Sequence, residues 1–274
     1  MTTDIHLRDI DFERISRFVY EVCGINLHDG KRELVKARLG KRLRQGSFDS
    51  FTSYFDYVTT EEGTNELIHM IDSLSTNLTS FFREAKHFEI FKSLLKERVS
   101  PNGGPRQKLN IWSAGCSSGE EPYTVAMIVR ETLGALADRV SIVATDISTK
   151  ALKTAASAVY SEDKVKPIPP QLLRKYFQLG SNQWTGYYRL KPSIRDTVRF
   201  RRFNLMDKID FCDSLDIIFC RNVMIYFDKK TQNELIDRFY DVLAGGGYLF
   251  VGHSESLTGL DHRFRYIGPS VYTK

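Results

Sequence analysis

Over the first 75 residues, apolar side chains recur three and four positions apart, which gathers them on one face of a helix. Phe12, Ile15, Phe18 and Val19 make one such stripe, with Arg14, Arg17 and Glu21 between them. Gly24 and the turn Asp29-Gly30 interrupt it. The pattern resumes over 31–45 and stops at Gly46. It returns with Phe51, Tyr54, Phe55 and Val58, and again after Gly63 with Leu67, Ile68, Ile71 and Leu74. This spacing predicts an all-helical N-terminal domain over 1–75, with short connections.

Beyond Phe82 the period changes. A helix over 86–98 runs into the Pro/Gly-rich stretch 100–105, so 76–105 reads as a linker helix region. From 106 to 274, short apolar runs alternate with amphipathic helices. Strands are expected at 109–113, 140–145, 215–220 and 248–252, the last after a triple glycine. Helices are expected at 122–133, 149–158 and 229–243. Strands separated by helices of this length indicate a parallel sheet covered on both faces, an α/β doubly wound fold. Such sheets bind ligands at the carboxyl ends of their strands. The segment 160–203 breaks the rhythm. It carries the proline cluster 166–170, a short helix near 171–176, and two runs, 186–190 and 197–201, that look like short antiparallel strands. It is expected to be a small antiparallel β-subdomain.

Bulk properties narrow the class. The 274 residues are enough for two unequal domains, and 42% hydrophobic with 27% charged residues is ordinary for a globular protein. No apolar run approaches the roughly 20 residues of a membrane helix. The start of the chain lacks the charged and apolar regions of a secretory signal, so a cytoplasmic protein without direct membrane insertion is expected. The cysteines at 23, 116, 212 and 220 have no C-x-x-C spacing and read as free thiols. The histidines form no H-E-x-x-H motif, and no metal site is expected.

The net charge of +5 is too small to choose between nucleic acid, anionic lipid and an acidic protein surface. Its distribution says more. The helix at 31–44 carries Lys31, Arg32, Lys36, Arg38, Lys41, Arg42 and Arg44 against the single acid Glu33. Arg38, Lys41 and Arg42 share a face. Such a face is either solvated or meets an acidic partner; no nucleic-acid module accompanies it.

Candidate chemistry begins with the run Ile111-Trp-Ser-Ala-Gly-Cys-Ser-Ser-Gly-Glu-Glu-Pro122. A strand enters a small-residue turn that opens a helix. Gly115 and Gly119 with Ser117 and Ser118 let backbone pass close to a ligand, although the full G-x-G-x-x-G spacing is missing. An ordinary tight strand–helix connection would look similar. Asp146 ends the second strand, where its carboxylate can accept from both hydroxyls of a ribose. Capping of the next helix is the competing role, and Ser148 is available for that. Together these motifs point to an adenosine-containing cofactor, either a dinucleotide or S-adenosylmethionine. Two further stretches stand out. Arg221 and Asn222 follow the buried strand 215–220, with Tyr226 four residues beyond Asn222. The run 75–84 is rich in hydroxyls and ends in Phe81-Phe82-Arg83-Glu84.

These stretches, taken in order, resemble the chemotaxis receptor glutamate methyltransferases over nearly the whole chain. The matching strings are Thr76-Asn-Leu-Thr-Ser-Phe-Phe-Arg83, Trp112-Ser-Ala114 with Gly119-Glu-Glu-Pro-Tyr123, Thr145-Asp-Ile147, and Arg221-Asn-Val-Met-Ile-Tyr-Phe227. The resemblance implies a Rossmann-like methyltransferase domain and S-adenosylmethionine as cofactor, with S-adenosylhomocysteine as product. It implies cofactor contacts from Asn77, Thr79, Arg83, Glu121, Asp146, Asn204, Leu205, Arg221 and Asn222. It makes Arg83 and Tyr226 the groups that organise the reaction. It suggests that Lys36, Arg38, Lys41 and Arg42 meet the acidic helical methylation region of a methyl-accepting chemotaxis receptor. It further suggests that the edge near 186–190 could take a receptor C-terminal peptide by strand addition. A monomer that does not bind nucleic acid is expected. The alternatives are a methyltransferase for another acceptor, such as nucleic acid, and a non-catalytic cofactor-sensing scaffold. His253-Ser254-Glu255 are consecutive, so they are not expected to form a hydrolytic triad, which needs convergence in space.

Overall fold

A computed structural model describes residues 5–99, 108–211 and 214–274. The Pro/Gly stretch 100–105 and Cys212 lie outside the described residues. The N-terminal unit comprises α1 (Asp9–Cys23), α2 (Arg32–Gln45), α3 (Phe51–Val58) and α4 (Thr64–Leu74), followed by α5 (Lys86–Arg98). Local chemistry sets these boundaries. α1 stops where Gly24 takes φ 73°, a left-handed cap that glycine adopts at no steric cost. α3 opens with a capping box in which the Ser50 and Ser53 side chains each serve the other's backbone N–H. The apolar stripes converge on one core that includes Ile15, Val35, Leu39, Phe51, Tyr54 and Met70.

The second unit contains β1 (Leu109–Ala114), α6 (Glu120–Leu133), β2 (Val140–Asp146), α7 (Thr149–Ser157), β3 (Val159–Ser161), α8 (Glu162–Val165), α9 (Pro170–Tyr176) and β4 (Phe177–Leu179). It continues with β5 (Tyr187–Leu190), α10 (Pro192–Arg195), β6 (Val198–Arg202), β7 (Leu215–Cys220), α11 (Lys229–Val242), β8 (Leu243–Val251), β9 (Arg265–Gly268) and β10 (Val271–Thr273). A seven-stranded sheet runs β6-β2-β1-β7-β8-β10-β9. β6, β2, β1, β7 and β8 are parallel, while β10 is antiparallel to both β8 and β9. Successive residues face opposite sides of the sheet. Ile111, Ile217, Phe219 and Phe250 therefore enter one core, and Trp112, Ile218, Leu249 and Val251 the other. Strand order reverses between β1 and β7, which opens a crevice at their carboxyl ends.

The structure departs from the sequence-based expectation at three points. The run 197–201 is not a strand of the small sheet: β6 pairs parallel with β2, Ile142 opposite Val198, at the margin of the main sheet. Its Arg-rich sequence suits an edge strand, where one backbone side meets solvent. The small sheet is ordered β3-β5-β4, so β5 is central rather than at an edge. Its backbone groups are taken up on both sides, by β3 and by β4, which leaves those two as the open edges. Thirdly, the triple glycine lies inside β8 as a bulge. Leu215 pairs with Leu243, but Ile217 pairs with Tyr248. β9, β10, β3 and β4 are too short to have carried a period signal.

Candidate functional site

The site begins with the backbone of the β1–α6 loop. Gly115, Ser117 and Gly119 all have positive φ, so the chain turns sharply and presents N–H groups inward. The Ser117 N–H donates to Asp146 Oδ2 at 2.7 Å, and the Ser148 N–H donates to Oδ1 at 2.8 Å. Ser148 caps α7 through its own hydroxyl, which accepts from Ala151 N–H, so capping is not the role of Asp146. Asp146 is buried, and burial pushes its carboxyl up, opposed by those two N–H donors. Each oxygen keeps a lone pair for a further donor.

A strap from the N-terminal unit covers this loop. The Ser117 hydroxyl donates to the Asn77 carbonyl at 3.1 Å, and Lys164 Nζ donates to the Thr79 carbonyl at 3.2 Å while pairing with buried Glu120. The Phe82 N–H donates to Thr124 Oγ1 at 3.2 Å. Phe82 and Glu84 have φ of 54° and 56°, so Arg83 sits between two left-handed residues. Such backbone persists only where its surroundings impose it. Arg83 donates to the Leu78 carbonyl at 2.9 Å, and pairs with neither Glu84 nor Asp72 among the described contacts. Asp72 instead accepts from the Thr149 N–H at 2.8 Å at the start of α7, fastening α4 to the second unit.

Arg221 forms the third wall. Its guanidinium lies between Glu84 (3.0 Å) and Glu121 (3.1 Å), and also donates to the Arg83 carbonyl. Burial raises both carboxyls and Arg221 lowers both. The cation prevails at Glu84, which is held below its ordinary value, while burial prevails at Glu121. Glu121 also accepts from the Ser113 hydroxyl at 2.8 Å.

These elements enclose one cleft, holding about 980 Å³ including its open mouth. Asn77, Thr79, Arg83, Glu121, Asp146, Asn204, Leu205, Arg221, Asn222 and Tyr226 all line it. Sequence reasoning missed other lining residues: Cys23 and Ile25 from the N-terminal unit, with Ile147, Phe203, Val223 and Phe227. Cys23 and Ile25 belong to no motif, while Ile147, Val223 and Phe227 lie within the matching strings but are apolar and carried no chemistry that would single them out. Burial pushes the Cys23 thiol up to about 11, so it stays protonated. Asn204 spends its side chain on the Val22 carbonyl (2.6 Å) and the Met206 N–H (3.1 Å), which ties the pocket floor to α1. Cys116 lies buried beneath the turn with its thiol pushed well up, a packing residue.

The basic residues of α2 are not in this cleft. Arg38 donates to the carbonyls of Leu74 (2.8 Å) and Ser75 (3.0 Å), where α4 passes into the strap. Arg42 pairs with Glu66, which also accepts from the Tyr54 hydroxyl. The charges of Arg38 and Arg42 are thus engaged within the chain, unlike the open basic face expected from spacing. Lys41 is exposed and Lys36 half-buried. The fold also assembles Glu84, His87 and His253, whose candidate ligating atoms lie within 4.8 Å of one another. No sequence spacing announces this group, and Glu84 already faces Arg221.

The cleft suits S-adenosylmethionine on its own chemistry. Asp146 offers acceptors for a ribose diol, and Ile147, Phe203 and Leu205 offer apolar surface for a purine. Carboxylate and guanidinium groups stand together at the other end for a zwitterionic amino acid. Comparison with known proteins agrees. Residues 77–273 match the family model described as CheR methyltransferase, SAM binding domain, and residues 10–75 match its all-alpha domain. The chain is similar to a chemotaxis protein methyltransferase of Borreliella burgdorferi, at 39% identity over 99% of this chain and 96% of that one. It is also 39% identical to the Escherichia coli chemotaxis protein methyltransferase, over 99% of this chain and 93% of that one. Among solved structures, PKMT2 from Rickettsia typhi is 11% identical with a TM-score of 0.39, covering 64% of this chain and 26% of that one. On the family models and the two chemotaxis relatives, which span both units, the chain belongs to the CheR methyltransferase family and is an S-adenosylmethionine-dependent methyltransferase of chemotaxis.

Proposed function

We propose that this methyltransferase esterifies glutamate side-chain carboxylates in the helical methylation region of chemotaxis receptors, giving γ-glutamyl methyl esters and S-adenosylhomocysteine. One observation carries this reading: among the described residues, the carboxylates and the thiol lining the cleft are already engaged or protonated, and none of them is free to act as a general base. Asp146 accepts from two backbone N–H groups, Glu121 is held by Ser113 and Arg221, and Cys23 stays protonated. An amine or hydroxyl acceptor would need a proton removed. A glutamate carboxylate, with an ordinary pKa of about 4.3, is already a nucleophile at neutral pH.

Bound S-adenosylmethionine supplies an electrophilic methyl group on a sulfonium. The chain's residues then have to orient and desolvate, which is sufficient for such a transfer. Asp146 fixes the ribose. Asn77 and Thr79 close the strap side, with Leu205 and the backbone of Asn204 against the adenine. Glu121 and Arg221 fix the charged end, with Asn222 beside them. Arg83 and Tyr226 set the approach of the acceptor carboxylate. Arg83 already donates to the Leu78 carbonyl, which fixes its direction, so it orients the nucleophile with its remaining donors.

Methylation removes one negative charge per site, which weakens repulsion between receptor helices. Lys36, Arg38, Lys41 and Arg42 on α2 would carry the positive charge that meets such an acidic surface, Arg38 and Arg42 while also holding the helix and strap in place. Where a receptor carries a C-terminal peptide, it would add to an outer strand of the small sheet. Exposed Leu179, Trp184 and Tyr187 lie about a groove there.

The test is transfer of tritiated methyl from S-adenosylmethionine to receptor-containing membranes, read as base-labile methanol. Wild type is compared with Asp146→Ala and Arg83→Ala. Label that appears with wild type and collapses in both variants supports the reading. Cofactor binding without base-labile label on any receptor rejects it.

A further inference from the structure

The segment 221–226 supplies Arg221, Asn222, Val223 and Tyr226 to the cleft, yet it has no regular secondary structure beyond one short turn at Met224–Tyr226. Asn222 sits at φ 60°, left-handed backbone that asparagine tolerates better than most residues but that no regular element imposes. Something outside the cleft must hold it.

Two carboxylates do so, and neither lines the cavity. Glu255, buried just after β8, accepts the Asn222 N–H at 2.7 Å and the Gly252 N–H at 2.7 Å on one oxygen. Its other oxygen accepts the Ile225 N–H at 3.2 Å. Glu84 accepts from Arg221 at 3.0 Å, from the His253 N–H at 3.2 Å and from the Asn222 side-chain amide at 3.4 Å. The fit leaves no slack. A Cβ on Gly252 would stand 2.5 Å from the Asn222 side-chain nitrogen and 2.8 Å from Glu255 Oε2.

We infer that Glu255 is a positioning residue for methyl transfer, anchoring the backbone of 222–225 from behind so that Arg221, Asn222 and Tyr226 face the cofactor, with Glu84 as the second anchor. Backbone N–H groups converging on one anion make a charge-assisted cluster, stronger than neutral hydrogen bonds. Because Glu255 takes up the Asn222 and Ile225 N–H groups, those two are not available to the cofactor, and Arg221, Asn222 and Tyr226 meet it through side chains. The Gly252-His253-Ser254-Glu255 turn, unsuited to a hydrolytic triad, thereby gains a role. The inference rests on the cofactor and not on the identity of the methyl acceptor.

Glutamine at 255 keeps the shape but turns one acceptor oxygen into a donor facing an N–H. S-adenosylhomocysteine binding, measured by titration calorimetry, is compared for wild type, Glu255→Gln, Gly252→Ala and Phe239→Leu. The last trims a buried ring on α11 that packs edge-on against Trp112 and not against either anchor, and its Tm is measured alongside. We expect about 10- to 100-fold weaker binding in Glu255→Gln and Gly252→Ala, in line with the sensitivity of such sites to displacements of about an ångström. Phe239→Leu should bind as wild type does. The half-buried Glu84→Gln, less demanding on the core, should weaken binding in the same direction and serves where Glu255→Gln does not fold. Wild-type affinity in any folded anchor variant, or equal losses in Phe239→Leu, overturns the inference. Loss of receptor methylation with intact binding in wild type would count against the proposed acceptor alone.

Discussion

The Ser117 backbone N–H donates to Asp146 Oδ2 at 2.7 Å, locking the small-residue turn after β1 to the acid that ends β2. The bond makes Asp146 a brace for the loop, in addition to the ribose-binding role proposed for it. Asp146→Ala should weaken S-adenosylhomocysteine binding by about 10- to 100-fold, the scale of one hydrogen bond to a charged group. Asp146→Asn, which keeps one acceptor oxygen, should lose less. Calorimetric titration of the two variants checks the order.

Arg221 bridges Glu84 and Glu121 in a buried triad. Removing one member of a buried charge network leaves the others unpaired, at a cost of about 3–5 kcal/mol. Arg221→Met should therefore lower Tm by several degrees as well as abolish tight cofactor binding. Arg221→Met/Glu84→Gln, which removes one of the two charges left opposite, should recover part of the stability. A single mutant that melts like wild type would sink the triad as a stabilising element.

Gly115 has φ 77°, and a Cβ there would meet Val223 Cγ2 at 2.4 Å. Gly115→Ala must both strain the backbone, by about 1–3 kcal/mol, and push Val223, a wall of the cleft. Adding Val223→Ala should restore the space but not relieve the strain. The double variant is expected to regain part of the cofactor affinity and none of the backbone cost, as read by parallel binding and urea titrations.

His87 is buried against Glu84, Arg221, the His253 ring and Phe250. Burial, with Arg221 adding to it, pushes its pKa down to about 4, while Glu84 pulls the other way. In the unfolded chain the ring titrates near 6.5. Between those values the unfolded state binds more protons, so stability rises with pH through this window and is lost as pH falls from about 6.5 to 4. Glu121, Asp146 and Glu255, whose pKa values are raised, act in the opposite sense. The contribution of His87 is therefore read as a difference. The fall in unfolding free energy from pH 6.5 to 4.5 should be smaller in His87→Leu than in wild type, by up to a few kcal/mol. Identical slopes would refute it.

Much of this architecture was legible in the sequence because it depends on short-range periodicity. The N-terminal helices announce themselves through stripes such as Phe12, Ile15 and Val19, and β7 through its apolar stretch Ile217–Cys220. Asp146 and Arg221 were also legible, since each stands at the end of an element that could be located, whereas Asn77 was marked only by the family resemblance. What periodicity could not supply was partnership. Nothing local distinguishes Val198–Arg202 as a parallel neighbour of β2 from an antiparallel strand of the small sheet, because both read as an extended run. Nor could spacing show which of β3, β4 and β5 is central.

The chain order of hydrophobic and polar residues thus determined the two units, the parallel α/β layout and the motifs carrying the cofactor chemistry, because each is encoded within a few residues. Only the tertiary structure decided what the charges do. Arg38 and Arg42 look like a free basic face until Leu74, Ser75 and Glu66 are brought against them from about 24 to 37 residues away. Glu84 and Glu255 look unremarkable until folding sets both against the loop at 221–225. Burial raises the strength of such long-range pairings and the penalty for leaving them unmade, and burial exists only once the chain has folded.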